Sequence, residues 1–245
     1  PLTGTIVYGT YGDNNIKNYS HGMFQSVFDY PYLSSSANHI MDITLGYSPQ
    51  SIYSRSVNTQ NAKKINVYNQ MAQVLNGYDL GGSTTSGQSI REFDADGNYF
   101  DTAGDKMREC YFIAFSRLLV KDEIKKGTFQ IEFGMDQHVT GAHKGAKLTD
   151  TDAATSYKIN SPTGEYGILY ADTSQQNTSN QDILTTDDGT QKAGLIFYQA
   201  GICVITASLF RTSSTGGGNG LLHRTRVHVG AETDADNSGD LGMGI

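Results

Sequence analysis

Oxygen-bearing side chains occupy alternate positions in one short stretch of the chain, at Asp94, Asp96 and Asn98. Side chains of this kind at this spacing could converge on a hard cation such as calcium. However, Gly97 comes too early for the calcium loop of a helix-loop-helix unit, and the distal glutamate of that loop is missing. Because Asp-Gly-Asn is also a common turn sequence, we predict a turn here and keep a calcium site as the alternative.

A second acidic stretch matches the start of such a loop more closely. Asp234, Asp236 and Ser238 supply oxygen donors and Gly239 takes the sixth place, but Ile245 stands where the twelfth-position glutamate belongs. A solvated acidic tail is therefore the favoured interpretation, with calcium again as the alternative. Apart from calcium at these two stretches, the sequence suggests no cofactor.

Residues with interface character lie in two later stretches. Alternation over 221–229 places Arg224, Arg226 and His228 on one face of a strand. On an acidic protein this basic strip predicts docking to an acidic subunit. Phe197 and Tyr198 extend the predicted interface, because aromatic residues are enriched in interfaces.

Familiar catalytic motifs are missing from the sequence, which contains no Gly-x-Ser-x-Gly, no Walker loop and no His-Glu-x-x-His. His138 and His143 could pair as metal ligands, but without a nearby Cys or third His we expect surface histidines. The two carboxylates of a glycosidase need only be near in space, so that chemistry stays open. The sequence predicts a protein that is not an enzyme. A hydrolase that acts on the cell envelope is a further alternative.

Charge and composition argue against several classes of function. The 245 residues carry a formal charge of −7, which argues against direct nucleic-acid binding, because phosphate neutralisation requires clustered Lys and Arg. No long apolar run and no basic leader are present, so we predict neither a membrane span nor a signal peptide. Cys110 and Cys203 each lie in an apolar run, where we expect reduced thiols.

The elements are predicted from hydrophobic spacing. After a leading strand, apolar residues at helical spacing predict helices over 16–30 and 37–45, the second closed by Gly46. Two adjacent apolar stripes predict a third helix over 61–78, with Gly77 at its C-terminal cap.

Period-two alternation replaces helical spacing in the second half. The stretch 108–133 is predicted to be a β-hairpin with a charged turn, and 194–210 is predicted to be a second hairpin. The stretches 172–192 and 212–220 are polar and are predicted to be surface arms.

These patterns predict an α+β fold. Its three parts are a mainly helical part with a leading strand (1–80), a connector (81–107), and a β-rich part with antiparallel hairpins, long polar loops and an acidic tail (108–245). The helical part is expected to pack on the β-rich part.

Four segments carry a family resemblance. They are 27–40 (VFDYPYLSSSANHI), 64–75 (KINVYNQMAQVL), the hairpin stretch 107–133, and 194–202 (GLIFYQAGI). In these segments the chain resembles the large virion structural proteins of marine T-even-like myoviruses such as cyanophages. The resemblance implies a component of a phage particle, with tail or baseplate favoured over a decoration of the capsid, and it implies no known chemistry.

We therefore expect a non-enzymatic structural subunit, located in the virion, that self-associates and docks to neighbouring particle proteins. In this hypothesis the polar arms reach adjacent subunits and become ordered on binding. The alternative is a receptor- or glycan-binding module, in which Tyr-rich loops and a calcium site at Asp94 or Asp234 bind a surface sugar.

Overall fold

The structure, a computed structural model of the chain, describes residues 13–21, 23–55, 59–79, 89–99, 106–116, 122–134, 145–172 and 192–207. In chain order the strands and the α-helix are β1 (Ile16–Asn18), β2 (Gln25–Phe28), β3 (His39–Tyr47), α1 (Thr59–Leu75), β4 (Tyr78–Asp79), β5 (Ser89–Ile90), β6 (Phe93–Asp94), β7 (Lys106–Met107), β8 (Glu109–Phe115), β9 (Gln130–Gly134), β10 (Gly145–Thr149), β11 (Lys158–Ser161), β12 (Gly164–Asp172), β13 (Lys192–Phe197) and β14 (Ile202–Thr206). Short 3-10 turns lie at Asp13–Asn15, Ile52–Arg55 and Thr151–Ala154.

Ten of the described strands form one antiparallel sheet. Its order is β1-β2-β3-β8-β14-β13-β12-β10-β9, and β11 pairs with β12 beside this path. Two further pairs, β4 with β5 and β6 with β7, form small separate sheets. The sheet therefore unites strands from both ends of the described chain, because β3 pairs directly with β8.

The predicted α+β division is wrong, since the N-terminal part is not mainly helical. Only α1 is α-helical among the described residues, and the predicted helix over 16–30 contains the antiparallel strands β1 and β2. The predicted boundary also falls between strands of one sheet. Over the described ranges the protein is mostly β, with one α-helix packed on a large antiparallel sheet.

The predicted helix over 37–45 is likewise wrong, because these residues lead into and form β3. Apolar residues in this stretch fit the 3.6-residue period of a helix. They also fit the two-residue period of a strand, because Met41, Ile43, Leu45 and Tyr47 recur at every second position. Branching at Cβ in Ile and Thr favours an extended backbone. Pairing with β2 on one side and β8 on the other then selects the strand.

The helix predicted over 61–78 is confirmed as α1. It ends at Leu75, and Gly77 just beyond it forms the predicted C-terminal cap, with a φ of 75° and an N–H that donates to the carbonyl of Ala72 at 3.1 Å. Tyr68, Ala72 and Leu75 are buried on the face that contacts the sheet. α1 therefore covers one face of the sheet.

Gly46 has a different function from the predicted helix cap. It lies in β3 directly beneath α1, where a Cβ atom would stand 2.8 Å from the backbone nitrogen of Tyr68 and 3.0 Å from the carbonyl oxygen of Lys64. The missing side chain is what lets the helix backbone approach the strand this closely.

Two apolar clusters fill the two faces of the central strands. On the face covered by α1, Phe112, Val204, Leu195 and Ile168 lie opposite one another across four neighbouring strands. The second cluster contains Ile113, Leu148, Ala153, Leu169, Ala193, Ile196, Tyr198, Cys203 and Ile205. Cys110 belongs to the first cluster and Cys203 to the second, so the two free, buried thiols lie on opposite faces.

The predicted hairpin over 108–133 is wrong in its pairing, although both of its strands exist. β8 pairs with β3 and β14, whereas β9 pairs with β10 at the far end of the sheet. β8 is apolar on both faces, as a central strand must be when both faces are covered. The second predicted hairpin is confirmed over 194–206, where β13 pairs with β14.

Candidate functional site

The candidate calcium site at Asp94, Asp96 and Asn98 begins in β6, which pairs with β7 in a small antiparallel sheet. Antiparallel pairing places Asp94 opposite Lys106, and the Lys106 Nζ donates to Asp94 Oδ2 at 2.7 Å. The Asp94 side chain is 0% exposed and that of Lys106 is 15% exposed. The same ammonium also reaches the carbonyl oxygen of Asn98 at 3.3 Å.

Residues 94–98 form the turn that the sequence predicts. Asp94 Oδ1 accepts hydrogen bonds from the backbone N–H groups of Asp96 and Asn98, and Gly97 has a φ of 73°. Asp96 Oδ1 accepts a further bond from the Asn98 N–H at 2.7 Å. These local bonds are the physical reason why Asp and Asn favour such turns.

The two carboxyl groups of this turn are electrostatically coupled. Burial, together with a hydrogen bond to Asp96, raises the pKa of Asp94 to about 7, and the nearby Lys106 only partly offsets this. The hydrogen bond to Asp94 lowers the pKa of Asp96, helped by the charges of Lys192 and Lys158. The proton that this pair binds as the pH falls through about 7 is therefore held mainly by Asp94.

Aromatic side chains and amides enclose the turn. Tyr166 donates its hydroxyl proton to Asn160 at 2.6 Å, and Asn160 donates from Nδ2 to the Gly97 carbonyl at 3.2 Å. Tyr99 donates to Asn76 Oδ1 at 3.0 Å. Burial raises the pKa of Tyr166 to about 12, so both phenols serve here as neutral hydrogen-bond donors.

The calcium hypothesis at this turn has to take account of the positively charged Lys106 side chain, which already contacts the turn. One of the side-chain oxygens that it requires, Asp94 Oδ2, already accepts a hydrogen bond from the Lys106 ammonium, which also donates to the backbone carbonyl of Asn98. Within the described ranges, no three His, Cys, Asp or Glu side chains are grouped as metal ligands. Lys106, Asn160 and Tyr166 were not singled out from the sequence, since only tertiary structure brings them to the turn.

Other predicted site residues fall outside the described ranges. These are Arg224, Arg226, His228, Asp234, Asp236 and Ser238, together with the His138 and His143 pair. The predictions made for them remain predictions.

Phe197 and Tyr198, predicted at an interface, are buried within the chain's own core. Tyr198 donates its hydroxyl proton to Asp150 Oδ2 at 2.9 Å, and the buried Asp150 also accepts from the backbone N–H groups of Gly127 and Phe129 at 2.8 Å each. This carboxylate ties the segment before β9 to the β13–β14 turn. Neither aromatic side chain offers surface to a partner in this fold.

A different surface carries exposed apolar groups, the loop between β2 and β3. In this loop the Leu33 side chain is 86% exposed and that of Tyr30 is 57% exposed. Asp29 holds the loop closed, because its two carboxylate oxygens accept from the backbone N–H and from Nδ2 of Asn38, at 2.6 and 2.9 Å. These bonds lower the pKa of Asp29. We call residues 29–38 the docking loop.

Comparison with known proteins gave no family model that matches this sequence, and no significant match among curated proteins or solved structures. No helix in the described ranges is long and apolar enough to cross a membrane.

Proposed function

We propose that this protein is a non-enzymatic structural subunit of a tailed-phage virion, which self-associates and docks to neighbouring particle proteins, with tail or baseplate favoured. The observation that carries the proposal is the docking loop, a rigid loop with exposed apolar side chains at Tyr30 and Leu33. The loop lies within segment 27–40, one of the four segments that resemble phage structural proteins.

Several hydrogen bonds preorganise the docking loop. The Tyr32 N–H donates to the Asn14 carbonyl at 2.7 Å, and the Ser34 N–H donates to the Pro31 carbonyl at 2.8 Å. Together with the Asp29–Asn38 contacts, these bonds join the loop to the chain before β1 and to the ends of β2 and β3. A loop ordered before binding loses little conformational entropy when a partner covers it, which supports a role in assembly.

The terminal strands offer a second contact route. β1 and β9 are the outermost strands of the main path in the described sheet, and each is paired on one side only. A strand edge of this kind can accept a strand from another chain. β1 belongs to the same end of the sheet as the docking loop, so one neighbouring subunit could contact both.

Replacement of the exposed Leu33 side chain tests whether the docking loop mediates self-association. Leu33→Ser should weaken self-association by about ten- to hundred-fold, because burial of a leucine side chain contributes roughly 1.5–3 kcal/mol. Sedimentation velocity over a range of protein concentrations would measure the change. Val74→Ser is the matched control, since Val74 is 57% exposed but lies on α1. Equal effects of the two variants, or none from Leu33→Ser, would contradict docking through this loop.

Location in the particle needs a separate measurement. Immunogold electron microscopy of intact phage particles, with antibody raised against this chain, should place label on the tail or baseplate. Label on the head would change the assignment to a capsid decoration. Particles without label would overturn the virion proposal.

A glycan-binding module is the second candidate, and one ring cluster favours it. Tyr19 and His21 stack with ring centroids 5.2 Å apart and planes 6° apart, and the Lys17 ammonium lies 5.0 Å from the Tyr19 ring centroid. Aromatic faces can stack on the apolar side of a sugar ring. Glycan-array binding that is lost in Tyr19→Ala would support this candidate. A melting temperature that rises with calcium concentration would support its calcium-dependent form.

A further inference from the structure

In contrast to the ion pair between Lys126 and Glu165, Lys106 and Asp94 form an ion pair that is both close and buried. Their side chains meet at 2.7 Å across directly paired positions of β6 and β7, and the carboxyl group is 0% exposed. The other lysine pair, Lys126 with Glu165, leaves about a quarter of each side chain exposed. Phe93, Ala95 and Tyr166 are fully buried at or beside the turn, so the Asp94 carboxyl lies on its interior side, whereas Asn98 at the end of the turn is exposed.

An amine and a carboxylic acid condense to an amide only when both are uncharged and held together. Burial favours the uncharged forms of the amine and of the carboxylic acid. Because the fold holds the two groups together, no bimolecular encounter is needed. The reaction also needs a group that carries a proton from the attacking nitrogen to the departing oxygen. Asp96, which lies in the same turn and donates its backbone N–H to Asp94 Oδ1 at 3.1 Å, has a carboxyl group that can do this.

We propose that Lys106 and Asp94 form an intramolecular amide bond, with Asp96 as the proton carrier. This covalent clip goes beyond the proposed function and does not depend on it. It would close the chain between β6 and β7 into a loop.

The reaction balances without an oxidant or a cofactor. A proton moves from Nζ to Asp94 Oδ2 along their hydrogen bond, which leaves an amine and a carboxylic acid. The nitrogen lone pair attacks Cγ, and the Nζ–Cγ bond forms. Asp96 transfers a proton from the nitrogen to the hydroxyl group, the Cγ–O bond breaks, and one water molecule leaves. One ammonium and one carboxylate thus become one amide and one water.

A clip of this kind would stabilise the hairpin mainly through the unfolded state. Linking residues 94 and 106 restricts the unfolded chain between them, as a disulfide of similar span does. The hairpin carries Phe93 and Met107 into the core beneath α1, so the added constraint would act on the packed centre of the protein.

Mass spectrometry of the purified, folded chain tests the proposal. The intact mass should be lower than the sequence mass by one water. Trypsin cleaves after Arg91 and Arg108, so a clipped chain should yield peptide 92–108 uncut at Lys106 and lighter by one water. Fragmentation of that peptide should assign the link to Asp94. A folded chain at neutral pH with its full mass and with cleavage at Lys106 would overturn the proposal.

Asp-Gly dehydration is the competing origin of the same mass loss. Asp96 precedes Gly97, and a succinimide formed at this pair would also release one water. It would leave the Lys106 amine free, however, so trypsin would still cut after that residue. Water loss accompanied by normal cleavage at Lys106 would therefore also count against the clip.

Variants separate the proposed roles. Lys106→Arg keeps the ion pair and the fold but should retain the full mass. Asp94→Asn should still react, with loss of ammonia in place of water. Asp96→Asn should slow clip formation at least about a hundredfold, the low end of the effect of one proton-transferring group. Asp152→Asn, at an exposed carboxylate, is the control and should react like the native chain. Unchanged clip formation in Asp96→Asn would remove Asp96 from the reaction.

Discussion

The Asp150 carboxylate shows how a buried charge can be satisfied within one chain. It accepts three hydrogen bonds at 2.8–2.9 Å, from the N–H groups of Gly127 and Phe129 and from the Tyr198 hydroxyl. Asp150→Ala would leave these donors without their acceptor, and we expect the free energy of unfolding to fall by about 3 kcal/mol or more. Urea denaturation measures the loss. Asp152→Ala, at an exposed site nearby, should change stability by less than about 0.5 kcal/mol.

The raised pKa of Asp94 predicts how the stability of the protein depends on pH. Its pKa is raised from 3.8 to about 7, so between these values the folded state retains a proton that the unfolded chain has lost. Stability from this group is therefore complete below pH 3.8 and is lost as the pH rises through about 7. Amide formation would remove the titration, so the test uses Lys106→Arg, in which the carboxyl stays free.

The measurement compares Lys106→Arg with the double variant Lys106→Arg/Asp94→Asn, whose amide cannot titrate. The melting temperature of the single variant, relative to that of the double variant, should fall as the pH rises from about 4 to about 7 and then level off. A difference that stays constant across this window would show that the Asp94 carboxyl is not held protonated by the fold.

At the scale of elements, contact between α1 and β3 depends on one missing side chain. Gly46→Ala would place a Cβ atom 2.8 Å from the Tyr68 backbone nitrogen, and a helix backbone cannot move aside as a flexible side chain can. We expect a loss of about 1–3 kcal/mol in unfolding free energy, measured by chemical denaturation. Asn66→Ala, on the exposed side of α1, is the control. Wild-type stability in Gly46→Ala would mean that the helix can shift without cost.

Local signals predicted the elements that local interactions determine. α1 carries two apolar stripes and ends at a glycine cap, and the hairpin over 194–206 has its turn residues in sequence. The segment that forms β3 was mistaken for a helix because its apolar residues fit both periods. Its strand conformation depends on hydrogen bonds to β2 and β8, and β8 is more than sixty residues away.

At the scale of the whole molecule, the sheet makes the N-terminal and C-terminal parts interdependent. β8 borders β3, and α1 covers Phe112 and Val204 on the central strands. A fragment of residues 108–245 would expose that apolar face and would lack β3, one of the two strands that pair with β8. Circular dichroism should show a cooperative thermal transition for the intact chain and none for this fragment.

Addition of the missing part provides the control for that experiment. Refolding of 108–245 together with 1–107 should restore a cooperative transition, because the two fragments can rebuild the β3–β8 pairing. Cooperative unfolding of 108–245 alone would contradict this dependence and would support the boundary expected from the sequence.

The sequence by itself determined the features that depend on near neighbours along the chain. These are helix α1, the glycine turns at Gly77 and Gly97, and the β13–β14 hairpin. Tertiary structure alone decided that β8 lies between β3 and β14, and that the Lys106 ammonium meets the buried Asp94 carboxyl. The reason is that strand pairing and burial depend on residues far apart in sequence, whose proximity no local pattern encodes.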